Sequence, residues 1–130
     1  MSLKSKGINA ERELVHMFWA KDWACLRVAG SGSNRYPSPD LLVGNKLRRL
    51  AIECKVTKET NKYFAEESIL ALRKFAGVFG AEPWVAVKFK GHEWYFVSLE
   101  DLKDTGNGFS LNADNAKSKG LLFEEMVGKN

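Results

Sequence analysis

A short apolar strand with charge on one of its faces constrains this chain more than any other feature. Leu50-Ala51-Ile52-Glu53-Cys54-Lys55-Val56 has the length and apolarity of a core strand. Side chains alternate along a strand, so Glu53 and Lys55 share one face. Leu50, Ile52, Cys54 and Val56 share the other, which is expected to enter the core. Asp40 stands thirteen residues before Glu53 and heads a second apolar run, Leu41-Leu42-Val43. The turn between the runs holds Gly44-Asn45-Lys46 and two arginines, Arg48 and Arg49. Two acids and a lysine are thereby expected on adjacent strands, and the fold around them must be a sheet.

The rest of the chain supplies layers for that sheet. Asn9–Lys21 has helical spacing, with Leu14, Val15 and Phe18 in one arc and Ile8 at its edge. Glu11 falls near the middle of the arc and Glu13 on the far side. A carboxylate centred on an apolar stripe is expensive unless it is paired. Two readings of Glu11 stay open: it faces water at the helix start, where the dipole favours it, or it leans over the sheet edge toward the acids. Trp23–Val28 is expected to be the first strand. Ala29–Ser38, rich in Gly, Ser, Asn and Pro, reads as a mobile arm beside the acids or as a plain surface loop. Glu66–Gly80 is expected to be a helix from the spacing of Ile69, Leu70, Leu72, Phe75, Ala76 and Phe79, with Gly80 as its cap. Trp84–Lys90 and Glu93–Ser98 read as a hairpin turning at Gly91-His92. Leu99–Leu102 reads as a short turn, 103–116 as irregular, and Lys119–Val127 as a last helix. The order fits an α/β fold, a mixed central sheet flanked by helices, in one domain over 1–130.

Composition narrows the function. At 45% apolar and 12% aromatic residues, the chain is globular. Cys25 and Cys54 are isolated thiols without a CxxC, so zinc is not expected and a reducing, cytoplasmic compartment is. The start lacks the apolar segment of a signal peptide, and no apolar run has the length of a membrane span. Residues 1–62 hold 12 Lys/Arg against 6 Asp/Glu, whereas 63–130 hold 8 against 10. The basic half contains the acid pair, which suits a polyanion such as nucleic acid, although a solvated surface has the same composition.

Asp40 and Glu53 are suited to one or two Mg²⁺ ions, with Mn²⁺ as a substitute, because hard cations take oxygen ligands. The backbone carbonyl of Cys54 is a natural further ligand, and Glu11 completes the shell directly or through water. Lys55 is placed to orient a water or to stabilise charge developing on a phosphate. Pro37-Ser38-Pro39 stiffens the approach to Asp40. These features point to metal-dependent phosphodiester hydrolysis and leave the substrate open. Lys46, Arg48, Arg49, Lys58 and Lys62 either track phosphates or are solvated. His16 and His92 are isolated, and Trp19, Trp23, Trp84 and Trp94 read as core or interface.

Five segments in order resemble one family. They are Lys6-Gly7…Ala10-Glu11-Arg12-Glu13-Leu14, Arg27-Val28-Ala29-Gly30-Ser31, Pro39-Asp40-Leu41-Leu42, Ile52-Glu53-Cys54-Lys55-Val56-Thr57-Lys58, and Phe79-Gly80…Val85-Ala86-Val87-Lys88-Phe89. Together they resemble the archaeal-type Holliday junction resolvases of the PD-(D/E)XK nuclease superfamily, with its restriction-endonuclease-like fold. The resemblance implies a homodimeric, metal-dependent endonuclease that nicks four-way DNA junctions in pairs and leaves 5′-phosphate ends. It implies Glu11, Asp40 and Glu53 as metal-binding acids, Lys55 as the catalytic lysine, and Ser31, in a mobile loop near the site, as a further catalytic residue. It implies DNA contacts at Arg12 and Arg27, beside which Lys6, Ser31, Arg35 and Lys58 are also expected to contact DNA, and a dimer interface on the helix carrying Phe75 and Phe79. A two-fold dimer supplies two equivalent sites, which symmetric cutting needs. On pattern alone the two phenylalanines fit a monomer core equally well. The alternatives are another nuclease of the superfamily, acting on duplex or flaps, or a DNA-binding module that kept the fold without catalysis.

Overall fold

The computed structural model describes residues 3–30 and 34–128, with side chains from Ser5 onward. Helix α1 (Leu3–Ala20) leads into strands β1 (Ala24–Arg27), β2 (Leu41–Gly44) and β3 (Arg49–Thr57). Then come β4 (Asn61–Ala65), α2 (Glu66–Phe79), β5 (Glu82–Phe89) and β6 (Trp94–Ser98). A 3₁₀ turn (Leu99–Asp101), β7 (Lys103–Asp104), β8 (Gly108–Asn112), α3 (Ala113–Lys119), β9 (Leu121–Leu122) and α4 (Phe123–Val127) complete the chain. The main sheet has the order β1-β2-β3-β5-β6-β9, and β4-β8-β7 form a small second sheet. The β3–β5 pair is parallel and every other pair is antiparallel. The expected mixed sheet with flanking helices is thus present.

Both faces of the main sheet are covered. On one face, Leu14 and Phe18 of α1 pack with Leu50, Ile52 and Cys54 of β3 and with Phe123 and Met126 of α4. On the other, Ile69, Leu72 and Ala76 of α2 pack with Ala51 of β3 and with Val85, Val87 and Phe89 of β5. Burial of each large apolar side chain contributes about 1.5–3 kcal/mol, so this two-sided core dominates stability.

Several expectations change. Helix α1 begins at Leu3, six residues before the expected Asn9. Among the residues whose side chains are described, its first turns add none to the core on that face, so apolar spacing did not report them. Val56 is not in the core: it is 36% exposed, because the α1-side core ends at Cys54. Leu70 and Phe79 are also exposed, and α2 buries only Ile69, Leu72 and Ala76. Trp19 is exposed although its indole N–H donates to the Cys25 carbonyl at 3.0 Å. Residues 103–116 are ordered as β7, β8 and most of α3. Strand β4 was not expected, and its partner β8 lies far along the chain (Tyr63 opposite Ser110), where local patterns cannot report it. The last helix is only Phe123–Val127. At Gly120 the chain passes so near the preceding helix that a Cβ would lie 2.5 Å from the Ala116 carbonyl oxygen.

Candidate active site

Asp40 is fixed by backbone on both sides. Its N–H donates to the Ile52 carbonyl at 3.0 Å, and its own carbonyl accepts from Val28 N–H at 2.8 Å. Pairing of β2 with β3 starts at Leu41 opposite Ile52, so the next inward N–H of β3, that of Cys54, has no strand partner on that edge. The Asp40 carboxylate accepts from it instead, Oδ2 to N at 2.8 Å. A strand residue presents its N–H and C=O on the same edge. The Cys54 carbonyl therefore leaves β3 on the Asp40 side, while the Cys54 thiol is buried under α1.

Alternation carries Glu53 and Lys55 onto the other face, following Ala51 toward α2. Lys55 Nζ lies 3.3 Å from Glu53 Oε2, and the Glu53 side chain is only 16% exposed. Burial, the charge of Asp40 and a hydrogen bond between the two carboxyl groups push the Glu53 pKa up to about 7, against the opposing pull of Lys55. Glu11 crosses from α1 and meets Arg27 of β1, Nη1 to Oε1 at 3.5 Å. Its pKa is also raised, by burial and then by Asp40, with Arg27 opposing. Glu13, expected on the far side of α1, instead reaches Lys88 of β5 at 3.4 Å.

These groups line one cleft of about 710 Å³. Glu11, Arg27, Arg35, Asp40, Glu53, Cys54 and Lys55 all reach it. Of the other residues expected to contact DNA, Lys6 and Lys58 line a smaller neighbouring pocket, and the exposed Arg12 lines neither. Ser31 lies outside the described residues. Phe75 and Phe79 stack on each other along α2, with centroids 5.4 Å apart and planes at 15°. Phe75 packs against the α2-side core and Phe79 is 48% exposed.

The cleft also has walls that sequence reasoning did not name. Tyr36, 72% exposed, borders it with the Arg35 guanidinium 5.6 Å from its ring centroid. Glu67 and Ser68, at the start of α2, form the opposite wall. The signal available for them was the helix start itself, placed eleven residues past Lys55. Arg48 and Arg49, weighed as phosphate contacts, serve the fold. Arg48 makes two 2.9 Å bonds to Glu82 and a third to the Met126 carbonyl, and it lies over the Trp23 ring. Arg49 donates to the Gly80 carbonyl.

Among the described residues, no three His, Cys, Asp or Glu side chains are grouped to hold a metal by themselves. The donor set still fits a hard cation. Two carboxyl groups within hydrogen-bond reach, with charge disfavoured by burial and by each other, gain from a cation between them. Magnesium keeps several waters, so two carboxylates and the Cys54 carbonyl suffice. Glu11, held by Arg27, stands across the same cleft.

The chain matches known proteins over nearly its whole length. The family model described as archaeal Holliday junction resolvase (Hjc) covers residues 2–130. A crossover junction endodeoxyribonuclease Hjc from Archaeoglobus fulgidus is 38% identical over 127 residues, spanning 98% of this chain and 93% of that protein. Its namesake from Methanocaldococcus jannaschii is 32% identical, spanning 95% and 88%. The 1.6 Å structure of A. fulgidus Hjc superposes with a TM-score of 0.87 at 35% identity, covering 96% of this chain and 98% of that one. A full-length family match and a shared fold, around a cleft that gathers Glu11, Asp40, Glu53 and Lys55, lead to one conclusion: the chain belongs to the archaeal Holliday junction resolvase family.

Proposed function

We propose that this protein is a Mg²⁺-dependent endodeoxyribonuclease that resolves four-way DNA junctions, acting as a homodimer that places paired nicks and leaves 5′-phosphate ends. The observation that carries the reading is the Asp40 carboxylate bound to the Cys54 N–H beside Glu53 and Lys55 in the cleft. Asp40, Glu53 and the Cys54 carbonyl would hold the cation, with Glu11 joining through water. Mn²⁺ substitutes, since it accepts the same oxygen ligands. When bound, the cation neutralises phosphate charge and lowers the pKa of a bound water.

The protein's own groups do the rest. Asp40 is oriented by a backbone bond and does not need to reorganise during reaction. Lys55 lies close enough to Glu53 to stay directed into the cleft, where its ammonium meets charge developing on the phosphate. Arg27 holds Glu11 and adds positive charge at the wall, and Arg35 does so at the mouth. Arg12, Lys6 and Lys58 would contact the DNA outside the cleavage point, and Ser31 would join the catalytic residues beside it.

The test is cleavage of matched four-way, flap and linear duplex DNA with Mg²⁺. Paired nicks in the junction alone are expected. Removing metal with EDTA should abolish them, and so should Glu53→Gln, by at least about 100-fold, with junction binding retained. Equal cutting of linear duplex would sink the junction reading, and absence of cutting with any divalent metal would leave a DNA-binding module.

A further inference from the structure

A second pocket, of about 350 Å³, opens beside the cleft, and Val56 lines both. Lys6 of α1, Lys58 just past β3, and Lys88 and Lys90 at the end of β5 converge on it. The sheet register explains the convergence. Val56 lies opposite Lys88 in the parallel β3–β5 pair. Lys90 N–H donates to the Thr57 carbonyl at 3.0 Å, so the ladder continues one step past the strands. Alternation turns Val56, Lys58, Lys88 and Lys90 to the α1 side of the sheet. That is where the core stops at Cys54, which is why Val56 is open to solvent.

No acidic residue lines the pocket. Lys88 is paired with Glu13 on α1 and lies 5.9 Å from the Trp94 ring centroid. Lys6, Lys58 and Lys90 form no ion pair among the described residues. Gathering like charges without an acid is unfavourable, and the fold draws no packing from these exposed side chains. An anion among them reverses the sign.

We propose that this pocket is a backbone-phosphate subsite, which holds the substrate strand a short way from the phosphate at Lys55. At about 3.3 Å per residue, Lys58 stands about 10 Å along β3 from Lys55, a distance that a continuing DNA strand bridges. The subsite fixes which phosphate enters the cleft, so its lysines are positioning residues. The inference rests on the nuclease reading and extends it to Lys88 and Lys90.

The test measures four-way junction binding in EDTA across a salt series. Lys58→Gln/Lys90→Gln removes four lysines from the dimer and should make the slope of log affinity against log salt shallower by about 3.6, at about 0.9 per phosphate contact. Lys58→Arg/Lys90→Arg should keep the wild-type slope. Lys117→Gln/Lys119→Gln, with the same charge change on α3, should leave it unchanged. In Mg²⁺ the Gln pair should also shift the position of the nicks. If wild-type protein binds and cuts junctions but the Gln pair keeps the wild-type slope, the subsite is wrong and the nuclease reading stands. If wild-type protein binds no DNA, the nuclease reading itself fails, and the subsite with it.

Discussion

Glu53 shows how a side chain of the candidate site opposes stability. It is largely buried, it shares hydrogen-bond reach with Asp40, and Lys55 at 3.3 Å does not offset these effects, so its pKa rises to about 7. An acid whose pKa rises on folding is charged at a cost above that value, and the cost disappears as pH falls and the group protonates. Glu53→Gln should therefore stabilise the metal-free protein at pH 8 by about 3 kcal/mol, since the rise from 4.5 to about 7 corresponds to about 1.4 kcal/mol per pKa unit. Added Mg²⁺ should raise the melting temperature of the wild type and not of the variant. Denaturant melts with and without metal check both, and a variant less stable than wild type in EDTA would contradict the account. Glu53, Lys55 and Asp40 were legible in the sequence, because charge in an apolar strand has few explanations. The backbone bond from Cys54 to Asp40 was not. It depends on where β2 stops pairing, which no local pattern records.

Among the elements, the turn between β2 and β3 does more than reverse the chain. Arg48 fastens it to Glu82 of β5 and to the end of α4, while stacking over Trp23. The hydrogen bonds from Arg48 lower the Glu82 pKa below its ordinary 4.5. An acid with a depressed folded pKa adds stability above its unfolded pKa and loses it as pH falls through the folded one. Glu82→Gln should thus destabilise the protein at pH 7 by about 1 kcal/mol or less, since both side chains are over a third exposed. The difference from wild type should shrink in acid, as pH falls through the lowered folded pKa and Glu82 is neutralised. Urea melts at neutral pH and in acid measure it. Read from sequence alone, Arg48 looked like one of several surface cations. Its partners, 34 and 78 residues away, meet it only in the fold. Strand β4 was missed for the same reason, whereas α2 and the β5–β6 hairpin, whose contacts are local, were legible nearly to the residue.

At the scale of the whole molecule, the cleft sits where β2 stops pairing with β3, a lysine pocket lies beside it at the end of the β3–β5 ladder, and α2 exposes Phe79 stacked on Phe75. If that face joins two copies, Phe79→Asp should give a monomer by sedimentation at micromolar concentration. Protomer stability should change by less than about 1 kcal/mol, because the ring is half exposed. On a cruciform plasmid the variant should accumulate single nicks in place of paired cuts, and a dimeric Phe79→Asp protein would move the interface elsewhere. By itself the sequence determined the sheet, its main helices and the identities of the acids and lysine, because alternation and helical periodicity are local consequences of backbone geometry. Tertiary structure alone decided that Glu11 meets Arg27, that Val56 is left uncovered, and that four lysines from separate segments share one pocket. Those outcomes depend on where strands stop pairing and where the core runs out, and these are properties of contacts between residues far apart in the chain.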